Sequence, residues 1–260
     1  MDTGPLVLVE TSVDGSLATI TLNNPSKRNA LSFELMGALA DALRQVGDSE
    51  ARGVVLNANG PVFSAGHDFA DMAGQNLPFL RKLLQRCTSM MNLLQEIPQP
   101  VIAEVHALAT AAGCQLVASC DMAIAADTAA FALPGGKGGL FCTTPLVAVA
   151  RSIGRKRALE MAMTGDPISA ATAAEWGLVN RSVSTGDLHA TVLELARRAT
   201  RGSSFAKGIG KAAYYAQIDM DQPKAYSYAI EVMAASAMTE DGQEGIASFL
   251  EKRSPVWKGR

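Results

Sequence analysis

Two short segments of small residues carry the first chemistry that this sequence suggests. Residues 63–69 read Phe-Ser-Ala-Gly-His-Asp-Phe, and residues 111–115 read Ala-Ala-Gly-Cys-Gln. Gly66 permits a sharp turn after an apolar strand, and residues 111–113 stand where a helix can begin. Two backbone N–H groups from such turns stabilise one developing negative oxygen, which is what an oxyanion hole requires. We therefore predict that the two segments are separate loops that converge.

Other residue patterns give weaker indications of chemistry. The histidines His67, His106 and His189 lack metal-ligand spacing, and no Cys-x-x-Cys pair is present, so we predict no metal site. Gly-x-Ser-x-Gly is absent, so Ser64 is interpreted as a turn residue and not as a nucleophile. Residues 208–213, Gly-Ile-Gly-Lys-Ala-Ala, match a dinucleotide fingerprint in letters only, because no apolar strand precedes them.

Composition indicates an ordinary globular protein. With 260 residues, 48% of them hydrophobic, the chain can bury a large core as one domain, with or without an appendage. Its 23 basic and 25 acidic residues give a net charge of -2. Such a charge offers no general attraction to nucleic acid or to an anionic membrane, so neither is an expected partner.

Cysteine usage and the N-terminus bear on the expected location. Cys87, Cys114, Cys120 and Cys142 form no paired motif and are interpreted as buried, reduced thiols, which favours a reducing compartment. Residues 1–5 contain no basic stretch before a long apolar run, and no segment approaches the roughly 18 apolar residues of a membrane span. A cytoplasmic location is the resulting expectation.

Strand and helix patterns alternate in the first half of the chain and predict an α/β core. A β-hairpin over residues 6–22 is expected to turn tightly at Asp14-Gly15, because a two-residue hairpin turn needs positive φ angles. Ser32 is the predicted N-cap of the first helix. The other predicted elements of this half are strands at 54–56, 101–105 and 122–126, and helices at 77–95 and after residue 111.

From residue 143 onward, Ala-rich helical patterns dominate and no strand series is predicted. No Pro/Ser-rich linker precedes this part of the chain. It is therefore interpreted as a helical lobe that packs on the core or on neighbouring subunits. Residues 135–139, Gly-Gly-Lys-Gly-Gly, lack the spacing of a phosphate-binding loop and are interpreted as a flexible or close-packed turn.

Residues 63–69 and 107–121 closely resemble the crotonase, or enoyl-CoA hydratase/isomerase, superfamily, and the similarity extends over nearly the whole chain. Residues 24–31, with Asn-Pro followed by Asn-Ala-Leu, look like the early acyl-CoA loop of that family. Residues 159–179 resemble its helical signature. The chain resembles one branch of the superfamily most closely, and residues 113–121, 242–246 and 255–257 carry this resemblance.

This resemblance implies an α/β fold of the crotonase (ClpP-like) type, a spiral of ββα units with a helical C-terminal oligomerisation lobe. Residues 1–200 are then the acyl-CoA-binding core, and residues 201–260 form the lobe. Family members assemble as trimers or dimers of trimers, so a homotrimer or a dimer of trimers is expected. Coenzyme A enters as part of the acyl-CoA thioester substrate, and no separate cofactor is expected.

The resemblance also assigns a role to individual positions. The thioester oxygen is expected to accept hydrogen bonds from the backbone N–H groups of His67 and Ala112, and any side chain except proline preserves these donors. Asp68 is expected to cap the following helix or fix its loop. The full set of expected substrate-binding residues is Lys27, Arg28, Ala65, His67, Asp68, Phe69, Ala70 and Ala112.

Two positions depart from the hydratase pattern. Hydratases of this family add water to an enoyl thioester with two glutamates, and the matching positions here hold Gln115 and Gly135. A glutamine orients water but takes no proton from it, and glycine offers no side chain. General acid–base groups contribute about 10²- to 10⁴-fold each, so efficient standard hydration is not expected.

Three functional hypotheses follow from the resemblance. The first is an acyl-CoA-binding family member, a lyase of fatty acid metabolism by similarity, that polarises its thioester but hydrates poorly. The second is a decarboxylase or another enolate-forming enzyme that uses His67, although the tyrosine that accompanies this histidine in such enzymes corresponds to Phe141. The third is a non-catalytic acyl-CoA-binding or scaffold protein.

Overall fold

The protein, described by a computed structural model over residues 4–260, folds into two β-sheets and ten α-helices within that range. Residues 1–3, which belong to the N-terminal segment considered above, lie outside the described residues. The strands are β1 (Val7–Thr11), β2 (Leu17–Leu22), β3 (Gly53–Ala58), β4 (Val101–Val105), β5 (Ala109–Thr110), β6 (Met122–Ala126), β7 (Ala130–Ala132), β8 (Ile168–Ser169) and β9 (Arg181–Val183). The helices are α1 (Phe33–Gly47), α2 (Leu77–Glu96), α3 (Ala112–Ser119), α4 (Thr143–Ile153), α5 (Arg155–Thr164), α6 (Ala170–Trp176), α7 (Leu188–Ala199), α8 (Ser204–Gln217), α9 (Gln222–Ala237) and α10 (Glu240–Glu251).

The larger sheet has six strands in the order β1-β2-β3-β4-β6-β9. Only β1 is antiparallel to its neighbour, and every other pair is parallel. Parallel neighbours need a crossover connection, which α1 supplies between β2 and β3 and α2 supplies between β3 and β4. A smaller sheet has the order β5-β7-β8. The predicted α/β alternation is therefore confirmed in the first half of the chain.

The first hairpin forms where expected, but its turn is wider than the predicted one. Gly15 has a φ of 70°, while Asp14 is not in the left-handed region. The Ser12 N–H donates to the Leu17 carbonyl over 2.8 Å, so four residues form the loop. The Asp14 carboxylate accepts from the hydroxyl of Ser12 at 2.6 Å and from that of Ser16 at 2.8 Å. These side-chain hydrogen bonds stabilise the wider loop.

Helix α1 begins at the predicted cap and covers one face of the larger sheet. The Ser32 hydroxyl accepts from the Leu35 N–H at 3.1 Å, which satisfies one of the unpaired donors of the first turn. Apolar side chains at helical spacing, including Leu39 and Leu43, are fully buried in the main core. On the opposite face of the sheet, α7 packs Val192 against a second apolar cluster. The sheet is thus a layer between helices.

The C-terminal part contains two short strands, β8 and β9, that the sequence analysis did not predict. Strand β9 pairs in parallel with β6 and completes the edge of the larger sheet. The expectation of a purely helical region after residue 143 is therefore wrong at residues 168–169 and 181–183. These strands have two and three residues, which is too short for an alternating pattern to be recognised. No helix within residues 4–260 is long and apolar enough to span a membrane.

The Gly-Ile-Gly-Lys letters at 208–211 have a structural explanation. They lie inside α8, where a Cβ atom on Gly208 would lie 2.9 Å from the Pro98 Cβ, so the helix packs closely on the core. The Lys211 Nζ lies 2.7 Å from the Asp121 Oδ2, and both side chains are largely buried. Asp121 also accepts from the hydroxyl of Tyr215 at 2.8 Å. This ion pair and hydrogen bond attach α8 to the α/β core.

All four cysteines are free and buried, as the sequence analysis expected. Burial raises the pKa of each thiol above its ordinary value, to about 12 for Cys87 and Cys114. The pKa of Cys120 and that of Cys142 are also raised, mainly by burial. Each thiol is therefore protonated at neutral pH.

Candidate functional site

The two small-residue segments lie against each other, as predicted. Gly66 has a φ of 85°, and a Cβ atom at this position would lie 2.9 Å from the Ala111 Cβ and 3.2 Å from the Ala112 nitrogen. Only glycine combines this backbone conformation with so close an approach. The Thr110 N–H donates to the Ser64 carbonyl at 3.0 Å and holds the segments together.

The turn before α3 has an unusual backbone conformation. Ala111, with φ 51° and ψ -118°, is the N-cap residue and is not a glycine, so the turn is strained by about 1–3 kcal/mol. Its own N–H donates to the Ala132 carbonyl at 2.9 Å, which fixes the turn. Ala112 follows as the first helical residue, where the N–H has no partner inside the helix.

His67 presents its backbone N–H in a comparable way. The flanking residues Gly66 and Asp68 both form backbone hydrogen bonds to Leu31, at 2.7 and 3.4 Å. Successive N–H groups of an extended segment point in opposite directions, so the His67 N–H points away from Leu31. Within residues 4–260, neither the His67 N–H nor the Ala112 N–H donates to a protein acceptor. Both N–H groups are therefore free of protein acceptors in this range.

A cavity of about 370 Å³ opens beside these two residues. Its wall is mostly apolar, and α4 closes one side with Thr143 and Pro145. Six of the residues predicted from the sequence line it together: Ala65, His67, Asp68, Phe69, Ala112 and Gly135.

Three other predicted residues, all expected to bind substrate, lie next to the cavity but do not line it. The Lys27 ammonium group is 3.3 Å from the Asp68 carboxylate, and the lysine side chain is mostly exposed. Arg28 accepts through its carbonyl from the N–H of Ala65 at 3.0 Å, so its loop is attached to the wall of the cavity. The Ala70 N–H donates to Asp68 at 3.0 Å, which gives this aspartate the expected capping role.

Gln115 is separated from the cavity. It lies on α3 with 5% exposure, and its side-chain Oε1 is buried without a hydrogen-bond partner among residues 4–260. It is absent from the cavity wall. The position that holds the first glutamate in the hydratase pattern therefore presents an amide that is buried within the fold.

Gly135 lines the cavity in a way that excludes a side chain. It lies in a 3-10 turn, Pro134–Gly138, and a Cβ atom there would be 2.1 Å from the Leu140 carbonyl oxygen and 2.8 Å from the Cys142 Sγ. The Gly135 N–H donates to the Cys142 sulfur at 3.3 Å. In contrast, a Cβ atom on Gly138 meets nothing within 4 Å. The expected turn is therefore close-packed at Gly135 and has free space around Gly138.

The cavity wall contains two ionisable groups that bear on acid–base chemistry, His67 and Asp68. Burial lowers the pKa of His67 below its usual value, and the Leu31 backbone and the Asp71 carboxylate only partly oppose this effect, so the ring is neutral at pH 7. Asp68 is the only carboxylate in the wall within the described residues, and it is already bound to Lys27 and to the Ala70 N–H. The wall of the cavity therefore offers no free carboxylate base among residues 4–260.

The sequence analysis did not identify part of the apolar wall. Met72, from the segment before α2, and Leu84, from α2 itself, reach the cavity. Leu140, from the segment before α4, and Thr144, from the first turn of α4, also line it. The helical spacing of Leu84 indicates only a buried helix face. No sequence signal distinguishes such a residue from an ordinary core residue, because the cavity is formed by tertiary packing.

Comparison with known proteins gives one consistent family. Residues 12–260 match the family Enoyl-CoA hydratase/isomerase. The chain is 43% identical to human enoyl-CoA hydratase domain-containing protein 3, mitochondrial, over 94% of this chain and 81% of that protein. A solved structure of that human protein has a TM-score of 0.93 at 42% identity, covering 97% of this chain and all of that one. The structure of an enoyl-CoA hydratase from Mycobacterium smegmatis has a TM-score of 0.94 at 43% identity, covering 98% and 99%.

These similarities confirm two expectations and correct a third. The predicted crotonase-type α/β fold is confirmed, and so is the resemblance to one branch, which is that of enoyl-CoA hydratase domain-containing protein 3. The expectation of a cytoplasmic location is wrong, because relatives from five vertebrates are named mitochondrial proteins. Residue composition and free thiols indicate a reducing environment but do not distinguish one such compartment from another.

Proposed function

Because the chain belongs to the enoyl-CoA hydratase/isomerase family, we propose that it binds an acyl-CoA thioester and polarises the thioester carbonyl between the N–H groups of His67 and Ala112. The observation that carries this proposal is the pair of unpartnered backbone donors beside an apolar cavity. Preorganised donors of this kind stabilise negative charge that develops on oxygen. The strained turn at Ala111 fixes the direction of one of them before a ligand arrives.

The acyl chain occupies the 370 Å³ cavity in this proposal, and the CoA portion leaves past the loop of Lys27 and Arg28. Lys27 is mostly exposed, so it can exchange its contact with Asp68 for a phosphate group without a large desolvation cost. The adenine end is proposed to lie near Ala65, whose N–H donates to the Arg28 carbonyl.

Efficient hydration of enoyl-CoA is not part of the proposal. Gln115 is buried outside the cavity wall, and Gly135 has no room for a side chain. The remaining carboxylate, Asp68, is occupied by two hydrogen bonds. Water delivered to the β-carbon therefore meets no free carboxylate able to take its proton.

Decarboxylation, or another reaction through an enolate, is a second candidate. The observation that favours it is the position of the His67 side chain in the wall of the same cavity. An enolate forms negative charge on the thioester oxygen, and the two backbone donors stabilise that charge without a carboxylate base. Turnover of malonyl-CoA or methylmalonyl-CoA, lost in His67→Leu, is the result that supports this candidate.

The test of thioester binding compares two ligands that differ only at the carbonyl. Butyryl-CoA contains the thioester oxygen, and S-butyl-CoA, its thioether analogue, does not. We expect calorimetry to show that butyryl-CoA binds about 5- to 100-fold more tightly, since two hydrogen bonds from buried donors depend on that oxygen. An infrared shift of the bound carbonyl to lower frequency provides a second measurement of polarisation.

The matching variants change only the donor at position 112. Ala112→Pro removes the N–H at the first position of α3, where proline is otherwise tolerated, and Ala112→Gly retains it. The thioester advantage is expected to fall about 10-fold in the proline variant and to persist in the glycine variant. Equal affinity for the two ligands in the folded wild-type protein would contradict the proposal.

Assembly into a homotrimer or a dimer of trimers is also proposed. Helices α8 and α9 bury none of their residues completely within the chain. Large apolar side chains on the C-terminal helices are exposed, and an apolar surface of this extent is typical of an interface. The most exposed examples are Tyr226 at 63%, Ile230 at 61%, Met233 at 77%, Phe249 at 81% and Leu250 at 72%.

A further inference from the structure

A second concave region, with a volume of about 490 Å³, lies away from the cavity described above. Residues 49–52 and 98–100, which precede β3 and β4, form one side of it. The start of α8 and residues 257–259 of the C-terminal tail form the other side. We call this region the tail cleft. It shares no lining residue with the cavity among residues 4–260, so it is a separate candidate site.

Two half-buried cations, Arg52 and Lys207, lie side by side in the wall of the tail cleft. The Arg52 guanidinium donates to the carbonyls of Thr200, at 2.7 Å, and Gly202. The Lys207 ammonium donates to the carbonyl of Ala199. Because Ala199 and Thr200 are consecutive residues, the two charged groups are close to each other. Burial and the neighbouring Arg52 charge both lower the pKa of Lys207, in agreement with this geometry.

Protein groups compensate only part of this positive charge. Ala199 and Thr200 lie at the C-terminal end of α7, and a helix end carries roughly half an elementary charge, here negative. About 1.5 units of positive charge therefore remain on the pair. Neither cation forms an ion pair with a carboxylate among residues 4–260. By contrast, the buried cation of α8, Lys211, is paired with Asp121.

The other charged side chains in the wall are not bonded to this pair. The Asp241 carboxylate accepts from one hydroxyl and from two backbone N–H groups of the C-terminal tail. Glu50 is exposed, and the Lys258 ammonium is paired with Glu240 at 3.0 Å. Arg52 and Lys207 are thus the charged groups of the wall that a ligand can reach without breaking an ion pair among the described residues.

We propose that the tail cleft binds a phosphate monoester, with the phosphate group between Arg52 and Lys207 and the organic group beside Trp257. This inference does not depend on the proposed acyl-CoA binding. The planar guanidinium matches two phosphate oxygens, and the ammonium group supplies a second charge. A phosphate dianion offsets both charges, whereas a carboxylate offsets one.

The size and the aromatic wall of the tail cleft favour an ester over inorganic phosphate. A volume of 490 Å³ is in the range of small-molecule sites and exceeds what a phosphate ion fills. The Trp257 ring is 36% exposed in the wall, and a Cβ atom on Gly245 would lie 3.6 Å from it. The ring is therefore packed against α10 and presents a fixed apolar surface to the organic group.

The experiment measures binding of phenyl phosphate and inorganic phosphate to the full chain by calorimetry, at constant ionic strength and about pH 7.5, where a phosphate monoester is mostly a dianion. We expect phenyl phosphate to bind about 2- to 10-fold more tightly than inorganic phosphate, and Trp257→Ala to remove this difference. Lys207→Met should weaken both ligands about 10-fold or more, because a charge-assisted hydrogen bond is lost. Lys207→Arg retains the charge and should stay within about threefold of wild type.

Lys224→Met is the matched control, since it removes an exposed cation outside the tail cleft and should leave both affinities unchanged. Arg52→Lys keeps the charge but loses the planar group, so it should weaken both ligands and provides a second variant if Lys207→Met does not fold. Absence of binding by the folded wild-type protein overturns the inference. Unchanged affinity in the folded Lys207→Met and Arg52→Lys variants also overturns it, as does an equal loss in Lys224→Met, since binding would then follow net charge alone.

Discussion

Gly135 provides the sharpest test of why this chain is not expected to hydrate enoyl-CoA. A Cβ atom at Gly135 would lie 2.1 Å from the Leu140 carbonyl oxygen, whereas carbon–oxygen contacts are normally about 3.3 Å or longer. An alanine there therefore requires the turn or the Leu140 backbone to move by about 1 Å. Its approach to the Cys142 sulfur, at 2.8 Å, adds a second conflict. Insertion of a methyl group into such a site costs about 1–3 kcal/mol.

Gly138→Ala is the control for Gly135→Ala. Both glycines belong to the same 3-10 turn, but a Cβ atom on Gly138 contacts nothing within 4 Å. Replacing glycine by alanine also reduces the entropy of the unfolded chain by a similar amount at both positions, so that contribution cancels in the comparison. The difference in unfolding free energy between the two variants is then the cost of the steric conflict alone.

Thermal and urea unfolding of the two variants measure this difference. For a chain of this size, about 2–4 °C of Tm corresponds to each kcal/mol, so Gly135→Ala should melt about 2–12 °C below Gly138→Ala. Equal melting temperatures would show that the turn accommodates a side chain freely, and the steric argument would be refuted.

The same argument predicts what happens when the missing acids are introduced. If only the side chains were missing, Gln115→Glu combined with Gly135→Glu would raise crotonyl-CoA hydration by about 10²-fold or more, since each acid–base group contributes about 10²- to 10⁴-fold. We expect less than a 10-fold gain, because position 135 has no space and position 115 does not line the cavity. A gain of 10²-fold or more, measured by loss of enoyl absorbance, would contradict this interpretation.

Three further outcomes are expected. Lys211→Met should lower the free energy of unfolding, measured in urea, by about 3–5 kcal/mol, because it leaves the buried Asp121 carboxylate unpaired. Lys224→Met breaks an exposed ion pair with Asp221 and should cost less than about 1 kcal/mol. Equal losses in the two variants would refute this prediction. Because the pKa of His67 is lowered in the native state, the unfolded chain takes up a proton at a higher pH than the native state does, so the free energy of unfolding should fall below about pH 6.5, the ordinary histidine pKa. Urea titrations from pH 7.5 to 5.5 should show a smaller fall for His67→Leu than for the wild type. Equal falls would contradict the neutral ring. Sedimentation should show a trimer or hexamer that Met233→Glu dissociates and Val13→Glu, on the exposed hairpin loop, does not; a wild-type monomer would exclude the proposed assembly.

Much of the fold could be predicted because local patterns agree with tertiary packing. Ser32 caps α1 as expected, and the apolar runs at 101–105 and 122–126 are strands with the predicted bounds. The hairpin turn differs because two serine hydroxyls bind the Asp14 carboxylate, which a simple Asp-Gly rule omits. Strand β9 is too short to give a periodic signal and depends on pairing with β6.

The site was predictable where backbone geometry determines it. Gly66 and the segment 111–113 are indicated by small residues and turn chemistry, and they lie together in the structure. The choice of Ala112 within that segment came from the family resemblance and stays a prediction. Gln115 could not be placed, because its exposure to the cavity depends on how α3 packs and not on residue type. The steric closure at Gly135 was also invisible in the sequence, since it comes from the Leu140 carbonyl across a turn.

The four buried thiols have a consequence for a protein that is proposed to bind coenzyme A esters. Free coenzyme A ends in a thiol, and its disulfides can exchange with a protein cysteine only when that cysteine is accessible and forms a thiolate. Cys142 is the cysteine of the cavity wall, yet it is only 5% exposed, its raised pKa keeps it protonated, and its sulfur is engaged by the Gly135 N–H. We therefore expect that oxidised coenzyme A forms no mixed disulfide with the cysteine of this cavity.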